Sequence, residues 1–188
     1  EVHIDRSAWR VAATYNADTA AFYTKWLDDL EEAQGDNGAF PEFAPHAMNH
    51  GRAGIPYGTA WMDAGIICPY NIYKVYNDTR VIERHYDSMT RFMNFRRSIA
   101  PDFQGVFVGN DWGDWLSLSK TPIEYIDACY FFRTAKLMAE MAGAIGKTDD
   151  AAKYRDWMKQ IQRRFVTNYL NGDGRLAIVD VLHVVALV

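Results

Sequence analysis

The densest group of chemically useful side chains is the run at 110–115, which reads Asn-Asp-Trp-Gly-Asp-Trp. It holds two carboxylates, Asp111 and Asp114, and two indoles, Trp112 and Trp115. Carboxylates accept hydrogen bonds from sugar hydroxyls, and an indole face packs against the apolar face of a pyranose while it excludes water. The run therefore indicates a sugar-binding site. The alternative is a tight turn in which an aspartate caps the next helix and the tryptophans cover a rim.

A second pair of an acid and an indole, Asp63 and Trp61, stands near the start of an otherwise apolar stretch over 58–76. A carboxylate on a buried helix is costly unless it is paired or serves a ligand. Asp63 is therefore predicted either to contact a ligand or to cap the helix N-terminus, where the macrodipole favours a negative charge.

The sequence predicts neither a metal site nor a cofactor site. His46 and His50 lie four residues apart, but nothing around them completes a recognisable ligand set, and the neighbouring prolines disfavour a helix. The motifs GxGxxG, GxSxG and the P-loop are absent from the sequence. His85 is expected to be an ordinary helix residue. Cys68 and Cys129 are expected to be two buried thiols, with a disulfide between them as the less favoured alternative.

The composition narrows the function further. The chain has 188 residues, a net charge of −4, and 49% hydrophobic and 23% charged residues, which predicts a folded domain or part of one, without a nucleic-acid surface. It has no apolar run of the roughly 18 residues that a membrane helix requires, so no membrane span is expected. Aromatic residues make up 14%, and many lie outside the predicted core helices, which favours a binding role for them.

Two kinds of helix alternate along the chain and must position these residues. Amphipathic helices with one apolar face are predicted over 17–34, over 79–98 and from 148 onward, and charge-poor buried helices over 58–76 and 123–145. Pro69 is expected to kink the first buried helix.

The links between the predicted helices differ in length. Those at 77–78 and 146–148 are short, whereas those at 35–57 and 99–121 are long. In a chain of antiparallel helix hairpins both long links lie at the same end, so they are expected to share one face. We therefore predict an all-α fold, a partial (α/α)6 toroid of antiparallel helix hairpins with long loops on one face. The alternative is an α-solenoid, which the absence of a fixed-period repeat disfavours.

The C-terminal segment 176–188 is strongly apolar up to its last residue, whereas chain termini are usually polar and frayed. Residues 1–188 are therefore expected to be a fragment, about half of a single (α/α)6 barrel domain. The apolar edge of such a fragment would pair with the remainder of its own barrel or with a second copy of the fragment.

Taken together, these segments resemble the catalytic domain of bacterial α-L-rhamnosidases of glycoside hydrolase family 78. The resemblance rests on residues 15–34 and on the runs GAFP at 38–41, WMDA at 61–64 and GDWL at 113–116, which follow one another in family order. It implies an (α/α)6 barrel that hydrolyses terminal α-L-rhamnosides with inversion and without a catalytic metal or cofactor. Residues 3–10 depart from the family pattern.

The resemblance also implies which groups bind substrate and which lie elsewhere. The substrate-binding residues that it implies are Trp61, Asp63, Asp111, Trp112, Asp114 and Trp115. An inverting glycosidase needs a general acid and a general base about 6.5–9.5 Å apart, and the resemblance places both glutamates outside residues 1–188. No catalytic residue is therefore assigned in this chain, which alone is expected to be inactive and to supply pocket residues only.

Two other functions stay open at this point. One is another (α/α)6 carbohydrate-active enzyme of the unsaturated glucuronyl hydrolase or glucosidase type, and the other is a non-catalytic helical interaction module. The partner expected from the resemblance is a rhamnose-containing oligosaccharide or glycoside, with no nucleic acid and no membrane. By analogy with the family the location is periplasmic or secreted, with the cytoplasm as the alternative.

Overall fold

The computed structural model describes residues 13–45, 58–106, 113–114, 117–118 and 120–177. Within these ranges the chain is helical, apart from turns, bends and one isolated antiparallel bridge between Leu170 and Leu176. The helices with defined ends are α1 (Ala20–Glu32), α2 (Ala64–Tyr76), α3 (Arg80–Ile99), α4 (Ile123–Ala144) and α5 (Thr148–Tyr169). In this part of the chain no helix is long and apolar enough to cross a membrane.

The predicted alternation of buried and amphipathic helices is confirmed. Residues 64–69 at the start of α2 are all buried, whereas α5 buries only Ala151, Tyr154 and Ile161 of its 22 residues. Because these three positions fall on one helix face, α5 packs against the array through a single stripe and leaves its charged residues in water. The charge-poor helices α2 and α4 are joined to each other by a 2.7 Å hydrogen bond from the Tyr70 hydroxyl to Glu140 Oε2.

One predicted boundary is wrong. The buried helix was expected from residue 58, but α2 begins at Ala64 and residues 58–63 form turns. The reason is local: Ala60 has a left-handed backbone (φ 72°), and its N–H donates to Asp63 Oδ2 at 2.8 Å instead of entering a helical ladder. α2 continues through Pro69.

The short and long links are arranged as predicted. α2 passes to α3 through residues 77–79, where Asn77 takes the left-handed conformation typical of a helix end (φ 53°). α4 passes to α5 through residues 145–147, with Gly146 at φ 76°. Such short connections make each pair an antiparallel hairpin, so the N-termini of α2 and α4 lie at the end of the array that receives the long links.

The first long link is fastened to the helices on both sides of it. The Trp26 indole N–H on α1 donates to the Ala44 carbonyl at 3.0 Å. The buried ring of Phe40 lies so close to Gly65 on α2 that a Cβ at this glycine would be 2.3 Å from Phe40 Cε2. The beginning of α2 therefore accommodates the link only because residue 65 has no side chain.

The predictions for His85 and Cys68 are confirmed, whereas Cys129 is less buried than expected. His85 is a buried residue of α3, and its Nδ1 lies 2.6 Å from Glu31 Oε2 on α1. Cys68 is buried, Cys129 is partly buried, and both are free thiols.

Candidate functional site

The turn at 58–63 carries Trp61 and Asp63. Trp61 is partly exposed, whereas Asp63 is completely buried. Asp63 occupies the N-cap position of α2, and its carbonyl accepts the N–H groups of Ile66 and Ile67 at 2.9 and 3.0 Å. Its carboxylate makes no capping hydrogen bond to the helix and instead accepts the Ala60 N–H, three residues back. Asp63 therefore fixes the shape of the turn that presents Trp61.

The geometry of Asp63 bears on the two roles that the sequence left open for it. The carboxylate stands at a helix N-terminus, where the macrodipole favours its charge, but its hydrogen bond goes to the preceding turn. Complete burial favours a structural contribution of this carboxylate over a direct contact with a ligand in solvent.

Asp114 lies partly exposed near the end of the second long link. The Thr121 N–H donates to its Oδ2 at 2.8 Å, and the Ser117 N–H donates to its carbonyl at 3.0 Å. Desolvation by partial burial acts to raise the pKa of Asp114, but hydrogen bonds from Thr121 and Ser117 outweigh it and hold that pKa below its usual value. Asp114 is thus an ionised acceptor that ties the loop to Thr121 just before α4, and it keeps part of its surface in solvent. It does not cap α4, whose N-cap residue is Pro122 and which has no side-chain cap hydrogen bond.

Three of the predicted binding residues, Asp111, Trp112 and Trp115, lie outside the described residues, so their roles stay predictions. His46 and His50 also lie outside them. Among the residues that the structure does describe, no group of three or more His, Cys, Asp or Glu side chains could hold a metal ion.

A buried carboxylate that the sequence analysis did not single out, Asp127, joins both long links to α4. Its Oδ1 accepts the Thr59 hydroxyl at 3.0 Å and its Oδ2 accepts the Val106 N–H at 2.9 Å. Thr59 belongs to the turn that carries Trp61, and Val106 immediately precedes the remainder of the second long link. Because one carboxylate reaches both segments, the two long links meet at the same end of the array, as the predicted hairpin order requires.

The charge of Asp127 is balanced by Arg96 on α3. Arg96 Nη2 donates to Asp127 Oδ1 at 2.8 Å, and both side chains are completely buried. The Arg96 guanidinium also lies 4.8 Å from the centroid of the Phe131 ring. The Asp127 carboxylate accepts three hydrogen bonds in all, from Thr59, Val106 and Arg96, and these offset part of the cost of burying its charge. The rule that singled out Asp63, that an acid on a charge-poor helix needs a partner, applies equally to Asp127 and would have found it.

The segment before Val106 approaches α4 more closely than any side chain permits. A Cβ at Gly105 would lie 1.6 Å from the Glu124 carbonyl oxygen and 2.9 Å from the Ala128 nitrogen. Both of these atoms belong to the backbone of a helix, which cannot rotate away. Gly105 is therefore required for the contact that brings Val106 to Asp127.

Two open cavities lie elsewhere on the described surface. One, of about 370 Å³, is lined by residues of α3, α5 and the start of the second long link, including Arg97, Asp102 and Arg164. The other, of about 490 Å³, is lined by residues near Tyr76 and Asp78. Neither is lined by Trp61, Asp63 or Asp114, so both lie apart from the described part of the candidate site.

Comparison with known proteins gives one consistent result. Residues 4–186 match the family described as bacterial alpha-L-rhamnosidase 6 hairpin glycosidase domain. An alpha-L-rhamnosidase from Streptomyces avermitilis is 36% identical over 174 residues, which are 92% of this chain and 16% of that protein. The crystal structure of the Streptomyces avermitilis alpha-L-rhamnosidase complexed with L-rhamnose superposes with a TM-score of 0.82 at 33% identity, and covers 92% of this chain and 16% of that one.

A second solved structure agrees. The alpha-L-rhamnosidase from Dictyoglumus thermophilum superposes with a TM-score of 0.80 at 26% identity, over 89% of this chain and 19% of that one. The chain thus spans less than a fifth of the length of these relatives. The likeness confirms the predicted partial (α/α)6 toroid and the family resemblance that the sequence motifs indicated.

Proposed function

Because the chain belongs to the bacterial α-L-rhamnosidase six-hairpin glycosidase family, we propose that it is part of an enzyme that hydrolyses terminal α-L-rhamnosides. Residues 1–188 supply about half of one barrel domain and part of its sugar-binding wall. The observation that carries the proposal is the family match over nearly the whole chain, together with the meeting of both long links at the N-terminal ends of α2 and α4.

The described side chains suit this role. Trp61 offers a partly exposed indole for the apolar face of the sugar ring. Asp114 is ionised at neutral pH and keeps part of its surface in solvent, so it can accept hydrogen bonds from sugar hydroxyls. In this proposal Asp111, Trp112 and Trp115 complete the wall from the same loop, and Asp63 contributes near the sugar hydroxyls or through the turn that it holds.

The reaction proposed is inverting hydrolysis, in which a general acid protonates the leaving oxygen and a general base activates water on the opposite face of the ring. Both carboxylates belong to parts of the protein outside residues 1–188. The substrate is a rhamnose-containing oligosaccharide or glycoside, and the rest of the barrel is the partner of this chain.

The test uses the full-length protein and p-nitrophenyl α-L-rhamnoside. We expect release of p-nitrophenol, with β-L-rhamnose as the first sugar anomer seen by proton NMR. The Trp61→Leu variant should lose most of kcat/KM while its melting temperature changes little. Trp157→Leu is the control because Trp157 is a partly buried residue of α5 that packs against the core, with its ring centroid 6.2 Å from that of Phe131 on α4.

The control variant should lower the melting temperature but leave kcat/KM of the folded protein unchanged. Hydrolysis of an unsaturated glucuronide or a glucoside in preference to the rhamnoside would contradict the proposed substrate. Full kcat/KM in Trp61→Leu would contradict the proposed binding wall.

A further inference from the structure

We propose that Asp127 is a positioning residue for the substrate site, whose single carboxylate sets the placement of both loops that carry the sugar-binding residues. The inference rests on the proposed function, because it concerns the binding wall of that same site. Asp127 itself touches no substrate in this proposal and acts through Thr59 and Val106.

The hydrogen bonds of Asp127 use both carboxylate oxygens for different parts of the chain. Oδ1 accepts from Thr59 Oγ1 at 3.0 Å and from Arg96 Nη2 at 2.8 Å, and Oδ2 accepts from Val106 N at 2.9 Å. An ion pair that served only to join α3 to α4 would need Arg96 alone. The other two donors come from the two long links, and each stands a few residues before a predicted sugar contact.

Trp61 lies only two residues after Thr59, and hydrogen bonds hold the chain on both sides of it. Thr59 is held by Asp127, and the next residue, Ala60, is held in its left-handed conformation by the hydrogen bond from its N–H to Asp63. Trp61 lies between these two fixed points. A shift of Thr59 therefore changes where the indole stands, and displacements of about 1 Å in a binding group are enough to reduce catalysis strongly.

The second loop is held in the same way at Gly105 and Val106, near its beginning. Gly105 rests on the backbone of α4, and Val106 donates to Asp127 at the start of the stretch that contains Asp111 and Trp112. Because Asp127 is completely buried, water does not compete for these bonds, and a charged acceptor makes them stronger than bonds between neutral groups. One rigid helix thus sets the distance between Thr59 and Val106, the residues through which it holds the two long links.

The first test separates loop placement from stability by removing one hydroxyl. Thr59→Val keeps the shape of the side chain but loses the donor to Asp127, and Thr59→Ser restores the donor. Thr134→Val is the matched control: Thr134 is also completely buried, and its hydroxyl donates only within α4, to the carbonyls of Tyr130 and Phe131 at 3.0 and 3.1 Å.

In the full-length protein we expect Thr59→Val to raise KM for p-nitrophenyl α-L-rhamnoside by about tenfold, because the hydrogen bond that it removes goes to a charged acceptor. Thr59→Ser should return KM to near the wild-type value. Thr134→Val should leave KM unchanged even if it lowers the melting temperature as much. Equal KM values in Thr59→Val and Thr134→Val would overturn the inference while the rhamnosidase activity itself stood.

Amide hydrogen exchange tests the same inference without any turnover. Thr59→Val should speed exchange at the Ala60 N–H and leave Val106 protected. The double variant Asp127→Leu/Arg96→Met removes both acceptor oxygens and the buried countercharge, so it should speed exchange at both residues beyond Arg96→Met alone. Thr134→Val should change neither. If the double variant opened only one of the two segments, or if Thr59→Val left Ala60 protected, Asp127 would not be the residue that places both loops. A protein that lacked rhamnosidase activity but showed the expected exchange pattern would refute the proposed function alone.

Discussion

Replacement of Gly105 by alanine inserts one methyl group where the second long link crosses α4. The new Cβ would lie 1.6 Å from the Glu124 carbonyl oxygen, 2.6 Å from the Glu124 carbonyl carbon and 2.9 Å from the Ala128 nitrogen. All three atoms are backbone atoms in the first turns of a helix, so no rotamer change relieves the overlap. The segment must move away from α4 by about 2 Å to reach an ordinary contact distance.

The cost has two sources. Insertion of a methyl group into a packed contact costs about 1–3 kcal/mol. The movement also breaks the hydrogen bond from the adjacent residue, Val106, to the buried carboxylate of Asp127, and a bond to a charged group contributes about 1.5–3 kcal/mol. We therefore expect Gly105→Ala to lower the free energy of unfolding by about 3–5 kcal/mol, or the melting temperature by roughly 10 °C.

Urea unfolding followed by circular dichroism measures the change, and Gly143→Ala is the control. Gly143 is the penultimate residue of α4 and has nothing within 4 Å of the position that a Cβ would take, so alanine there should stabilise the helix by up to about 1 kcal/mol. Opposite signs for the two substitutions are the expected result. A Gly105→Ala protein within about 1 kcal/mol of the wild type would refute the reasoning, because it would mean that the link does not rest on the α4 backbone.

Three further outcomes follow from single side chains. Arg96→Met leaves the charge of Asp127 buried without its partner and should cost about 3–5 kcal/mol in urea unfolding; a much smaller loss would mean that the pair is not buried. Because the folded-state pKa of Asp114 lies below its unfolded value, its carboxylate stabilises the protein at neutral pH, and this contribution is lost as the pH falls through the folded-state pKa. The stability difference between wild type and Asp114→Asn should therefore vanish in acid, and a difference that persisted there would contradict this. Burial raises the pKa of Cys129 to about 11, so iodoacetamide at pH 8 should alkylate it roughly a hundredfold more slowly in the folded protein than in urea; equal rates would show an accessible thiolate.

The periodicity of the sequence was sufficient for the helices, because burial of an apolar stripe is a local property of spacing. It predicted α3 over 79–98 and the structure has Arg80–Ile99, and it distinguished the charge-poor helices from the amphipathic ones. The lengths of the links then placed both long loops at one end. A short connection forces the two helices that it joins to run antiparallel, so the long links must both lie at the opposite end. The motifs in these loops indicated the family before any geometry was known.

Periodicity could not predict the start of α2. The turn at 58–63 is decided by the contact between Asp63 and Ala60, and a left-handed alanine has no signature in composition. Hydrophobicity alone predicted a helix from residue 58. The hydrogen bond from the Ala60 N–H to Asp63 instead forms a turn, and α2 begins only at Ala64.

Asp127 shows which properties the sequence predicts and which only the tertiary structure decides. The sequence places an acid on a charge-poor helix, and the cost of burying a charge then requires a partner. Which partners it takes depends on three segments that are distant in the chain, at Thr59, Arg96 and Val106. The sequence by itself determined the helices, their order and the family, because those follow from local pattern and motif. Only the tertiary structure decided that one buried carboxylate holds both loops of the candidate site, because hydrogen-bond partners are chosen by distance in space.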